Sequence, residues 1–67
     1  MITLTVNGER RSFGPLPDLA ALISALGLDG RKVAIERNLE IVPRSAYGRT
    51  PLADGDRIEI VHFIGGG

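Results

Sequence analysis

The sequence predicts an α+β domain in which one helix packs on one face of a mixed sheet of four to five strands. Three observations carry this. Both ends of the chain alternate apolar and polar residues with period two, at Ile2–Val6 and again from Arg57 to Phe63. A single leucine-rich stripe of helical spacing lies between them. The length of 67 residues admits one small domain and one thin core.

In Ile2-Thr3-Leu4-Thr5-Val6, the residues Ile2, Leu4 and Val6 fall on one face of a strand. Asn7-Gly8 follows, and both residues tolerate the positive φ of a type I′ hairpin turn. Glu9 to Phe13 is the return strand. Its charged run Glu9-Arg10-Arg11 suits an edge guarded against pairing with other chains. After Gly14-Pro15-Leu16-Pro17, Asp18 is placed to cap a helix with its carboxylate. Leu19, Leu22, Ile23 and Leu26 form the buried stripe of that helix. Gly27 sits where a left-handed residue ends it, and Leu28 can fold back over the last turn.

Lys32 to Arg37 alternates again, with Val33 and Ile35 on one face and Ala34 and Glu36 on the other. Asn38 turns the chain into the short strand Glu40-Ile41-Val42, which Pro43 ends. Arg44-Ser45-Ala46-Tyr47 is expected as a single helical turn. Asp54-Gly55-Asp56 is a tight turn before the last strand, Arg57 to Phe63. The first and last strands are the most apolar and are expected at the centre, parallel if adjacent. Ile2, Leu4, Val6, Val33, Ile35, Ile41, Ile58 and Ile60 are expected to meet the helix stripe. This arrangement is the ubiquitin-like β-grasp. Residues 1–63 are expected as the domain and 64–67 as a flexible glycine-rich tail.

Composition removes several function classes. Eight Lys+Arg balance eight Asp+Glu, and no basic excess is present to attract nucleic acid or a membrane surface. The absence of Cys excludes disulfides, thiol nucleophiles and cysteinyl sulfur transfer. With His62 the only histidine, no metal site is expected, and Ser45 has no histidine base beside it in the sequence. Asp54, Asp56 and Glu59 lack calcium-loop spacing and are expected as solvated groups. No signal peptide or membrane span is expected, which points to a soluble cytoplasmic protein.

The chain resembles the ThiS-like sulfur carriers of thiamin biosynthesis. The resemblance rests on Asn7-Gly8 after the first strand, Leu26-Gly27-Leu28 at the helix end and Ile41-Val42-Pro43-Arg44-Ser45. It also rests on the run Leu52 to Ile60 with its Asp54-Gly55-Asp56, and on the closing Gly66-Gly67. Gly65 and Tyr47 depart from the family pattern without touching its chemistry. The resemblance implies a protein cosubstrate, not an enzyme. A ThiF-like, E1-like adenylyltransferase would activate Gly67 with Mg-ATP, with no cofactor bound to the carrier itself. A sulfur donor such as a cysteine desulfurase system would load it, and a ThiG-like thiazole synthase would accept the sulfur.

The tail supports this independently. A carboxylate is a poor electrophile, and joining it to AMP supplies a leaving group that sulfur can displace. Ile64, Gly65, Gly66 and Gly67 fully extended reach roughly 13 Å at about 3.3 Å per residue. Glycine also keeps the tail narrow enough for a channel in a partner. The cost of ordering it is about 1–2 kcal/mol per residue, which contacts by the folded body must offset. Strand parity offers those contacts: if Ile58 and Ile60 face the helix, then Glu59, Val61 and Phe63 face solvent beside the tail. Phe63 has two other possible roles, folding over an edge or packing in a homodimer. Arg44 is left with two roles, an ion pair within the domain or a contact to an acidic partner. Arg10, Arg11, Arg31 and Lys32 are expected to be solvating charges.

The rival readings are the small subunit of molybdopterin synthase, a ubiquitin-like modifier, and a β-grasp module that binds a protein, small ligand or RNA. Few aromatic residues argue against the RNA version.

Overall fold

The last strand lies at the centre of the sheet. The computed structural model describes residues 1–63. Its strands are β1 (Ile2–Val6), β2 (Glu9–Phe13), β3 (Val33–Arg37), β4 (Glu40–Val42) and β5 (Arg57–His62). They form one sheet in the order β2-β1-β5-β3-β4. β1 and β5 are parallel neighbours, with Thr5 opposite Arg57 and Val6 opposite Ile58. The pairs β1–β2, β3–β5 and β3–β4 are antiparallel. The expected α+β, β-grasp arrangement is the one observed, with five strands.

Helix α1 (Leu19–Ala25) crosses one face. The Asp18 carboxylate accepts from the Ala21 N–H at 2.9 Å and starts it. At the other end the Gly27 N–H donates to the Ser24 carbonyl and the Leu28 N–H to the Ile23 carbonyl, each at 3.0 Å. This is the paired bonding of a Schellman ending, and Gly27 takes the required φ of +72°. Leu28 folds back against the core, as the sequence suggested.

Leu4, Leu19, Leu22, Ile35 and Ile58 are fully buried. Burying such a side chain contributes about 1.5–3 kcal/mol, so this small group is the main support of a short chain. Tyr47 completes the core. It stands on a 3-10 segment, Arg44–Arg49, longer than the single turn expected, and its hydroxyl donates to the Val33 carbonyl at 3.2 Å.

Two expectations about burial are corrected. Ile41 is 79% exposed and does not meet the helix stripe. The two-residue loop Asn38-Leu39 pairs Arg37 with Glu40, Glu36 with Ile41 and Ile35 with Val42, so Val42 faces the helix. Asp56 is buried, not solvated. Its carboxylate accepts from Arg37 Nε at 2.9 Å, Asn38 Nδ2 at 3.0 Å and the Ala53 N–H at 2.9 Å. Arg31 also departs from a purely solvating role, pairing with Asp29 at 3.0 Å.

Candidate functional site

The sheet has one face under α1 and one without a covering layer among the described residues. Ile58 and Ile60 point to the helix and are buried. By the period of the strand, Glu59 and Val61 point the other way. Val61 is 62% exposed and Phe63 41% exposed, while Glu59 is half-buried. The expected parity therefore describes β5 correctly. β5 itself stops at His62, one residue earlier than expected, and His62 is exposed. Phe63 is still held to the sheet, since its N–H donates to the Lys32 carbonyl at 3.1 Å.

The cross-strand register assembles the rest of this face. Val61 lies opposite Ala34, Glu59 opposite Glu36, and Ile41 opposite Glu36 on the next strand. Val61, Phe63 and Ile41 thus belong to one exposed apolar surface at the end of the described residues. Ile41 is a member that sequence reasoning placed in the core. A signal for it was present: counting back from the Asn38 turn puts Ile41 on the side already assigned to Glu36. The facing carboxylates of Glu36 and Glu59 border the apolar group. Like charges directly opposite are unfavourable within a sheet and give a partner a negative landmark.

Where β4 ends at Pro43, a shallow recess of about 430 Å³ opens beside β3. Ala34, Ile41, Arg44, Tyr47, Phe63 and Arg31 contribute to its lining. Burial raises the Tyr47 phenol above its ordinary value, and the charge of Arg44 opposes this in part. The Arg31 hydrogen bond holds the half-buried Asp29 carboxyl down at about 2. Asp56 lies outside the recess. Burial pushes its carboxyl up, and hydrogen bonds from Asn38, Ala53 and Arg37 outweigh that and hold it below the ordinary value.

The described residues contain no group of three or more His, Cys, Asp or Glu able to hold a metal. No helix among them is long and apolar enough to cross a membrane. Ile64, Gly65, Gly66 and Gly67, expected to thread into a partner and carry the reactive group, lie outside the described residues. The described part offers an apolar, charge-bordered surface next to the point where the chain continues to them. It offers no nucleophile paired with a base. Such a surface can dock a partner.

Comparison with known proteins agrees with that character. The family model described as ThiS family matches residues 4–67. The chain is 40% identical over 68 residues to the sulfur carrier protein ThiS of Bacillus subtilis, covering 96% of this chain and 98% of that one. It is 35% identical to the thiamine biosynthesis protein (ThiS) from Geobacter metallireducens, whose crystal structure superposes with a TM-score of 0.83 over 98% of this chain and 100% of that chain. It is 56% identical over 64 residues, or 96% of its length, to part of a thiazole synthase of Paramagnetospirillum magneticum. The chain spans about one fifth of that relative, 20%, and 19% of a second thiazole synthase from Magnetococcus marinus.

Proposed function

We propose, from the premise that this chain belongs to the ThiS family, that it is a sulfur carrier of thiamin biosynthesis. It is a protein cosubstrate and not a catalyst. The observation that carries the reading is the exposed Val61–Phe63 surface at the end of the central strand, directly before the glycine-rich segment. A body that presents a docking surface at the root of a narrow tail is what a carrier needs. The near full-length match to the Bacillus subtilis carrier supports it.

In this reading the Gly67 carboxylate attacks the α-phosphorus of Mg-ATP in the adenylyltransferase. Pyrophosphate leaves and an acyl-adenylate forms. Hydrosulfide, released from the donor's persulfide by a thiol reductant that ends as the disulfide, adds to the acyl carbon. AMP then leaves with the electron pair of the broken C–O bond, and a thiocarboxylate remains. The thiocarboxylate is anionic at neutral pH and a better nucleophile than the carboxylate. It passes its sulfur to the thiazole synthase. Gly65 and Gly66 keep the approach narrow, with Ile64 at its root. Glu59, Val61 and Phe63 make the docking contacts that offset the ordering of the tail, about 1–2 kcal/mol per residue. A chain with no Cys has no internal thiol to intercept the activated end. The stretch of thiazole synthase resembling this chain supports that enzyme as the acceptor. The reading puts the protein in the cytoplasm.

Intact mass spectrometry tests this after incubation with the cognate adenylyltransferase, Mg-ATP and a sulfur source. The expected result is an oxygen-to-sulfur mass gain localised to Gly67, absent when Gly66-Gly67 is deleted from a domain that stays folded. An unchanged mass, with an enzyme shown to release pyrophosphate on an accepted carrier, overturns the reading.

A further inference from the structure

The carrier chemistry leaves one feature of the site without a role, the recess cation that is not paired, Arg44. Arg44 is exposed and has no ion-pair partner among the described residues, whereas Arg31 is held by Asp29 and Arg37 by Asp56. Its backbone is well fixed. Pro43 precedes it, the Ala46 N–H donates to the Pro43 carbonyl at 2.8 Å, and buried Tyr47 ties the same segment to Val33. A charge presented from a fixed segment loses less freedom on meeting a partner than one on a mobile loop.

The surroundings say what that partner group is. No acidic residue lines the recess; of its other exposed members, Ala34, Ile41 and Phe63 are apolar, and the charge of Arg31 is already paired with Asp29. The negative groups of this face, Glu36 and Glu59, sit further along the sheet. Apolar contact next to an unopposed guanidinium fits a carboxylate neighboured by an apolar side chain. We infer that this recess receives such a segment of the thiazole synthase, its apolar side chain against Ile41 and Phe63 and its carboxylate on Arg44. The choice of the synthase rests on the carrier reading. It is favoured by relatives in which a closely similar stretch belongs to the synthase polypeptide itself.

Calorimetric binding of the full chain to purified thiazole synthase tests the inference. Arg44→Glu is expected to weaken binding about tenfold or more at low salt, and Arg44→Gln by a smaller factor. Arg10→Glu, the same charge change on the far edge strand, is expected to stay within about twofold. The advantage of the wild-type chain over Arg44→Glu shrinks as salt rises. Thermal unfolding of each variant establishes that it is folded, and Arg44→Gln serves if the reversal is not. Wild-type affinity in a folded Arg44→Glu, or equal weakening by Arg10→Glu, overturns the inference, as does failure of the wild-type chain to bind. The mass measurement separates this from the carrier reading. A chain that gains the thiocarboxylate yet ignores Arg44→Glu defeats the recess alone. A chain that never gains it defeats the carrier, while the binding data still decide the recess.

Discussion

The carboxamide of Asn7 holds both backbone groups of Ile60, accepting from its N–H at 2.6 Å and donating to its carbonyl at 3.2 Å. The Asn7 N–H meanwhile donates to the Ile58 carbonyl at 2.8 Å. Strand β1 has ended by then, so the side chain extends the β1–β5 ladder by one rung. Asn is suited to this position twice over, since it also takes the φ of +50° that opens the hairpin turn.

Asn7→Gly separates these two roles. Glycine keeps the turn and removes both side-chain bonds to the central strand. It is expected to lower stability by about 1–2 kcal/mol, which is roughly 5–15 °C in Tm for a domain of this size. Thermal unfolding followed by circular dichroism measures it. A Tm equal to that of the wild type would mean the ladder needs no extension.

Asp56 governs the acid limb. Its carboxyl lies below its ordinary value of 3.8 in the folded protein, so the folded state binds fewer protons than the unfolded one near that pH. The associated stability is fully present above 3.8 and is lost as pH falls through the lower folded value. Asp56→Asn is expected to flatten the decline in stability between neutral pH and strong acid. Asp56→Ala is expected to cost roughly 2–4 kcal/mol at neutral pH through the stranded Arg37, Asn38 and Ala53 donors. Urea unfolding across pH reads both, with Asp29→Asn as the control for the other depressed carboxyl.

Leu39 stands in the left-handed region at φ +71° while 80% exposed, so it carries backbone strain and little compensating burial. Leu39→Gly releases about 1–2 kcal/mol of that strain and gives back roughly 0.5–1 kcal/mol in chain entropy. A net rise in Tm of up to roughly 12 °C is expected. A fall would show that Leu39 packs against something of value.

The docking surface has its own variant. Val61→Thr with Phe63→Thr puts a β-branched residue at both positions and removes the apolar contact. The rate of thiocarboxylate formation is expected to fall about tenfold or more, with stability changed by less than about 1 kcal/mol. Paired rate and unfolding measurements check this; an undiminished rate would dismiss the surface.

Much of this was legible in the residues because the cues were local. The alternation in β1 and β5, the Asn7-Gly8 turn, the Asp18 cap and the Gly27 ending each depend on neighbours in the chain. The parity of Val61 followed from the same strand logic. What stayed hidden depended on distant partners. Ile41 and Val42 are adjacent and equally apolar, so only the Glu36 and Ile35 pairings decide which one is covered. Asp56 looks like any turn acid until Arg37 arrives from the end of β3 and Asn38 from the loop after it. Tyr47 shows no periodicity in a short 3-10 segment, and its burial comes from the packing of that segment against the body.

Because β5 fills the middle of the sheet, its arrival closes the structure. A nascent chain that has emerged only as far as Asp56 lacks Ile58 and Ile60, so β1 and β3 have nothing between them and the core is open. Synthesis must run through β5 before there is a closed body to recognise. Products cut short upstream of β5 would therefore have no closed core and no Val61–Phe63 surface to present.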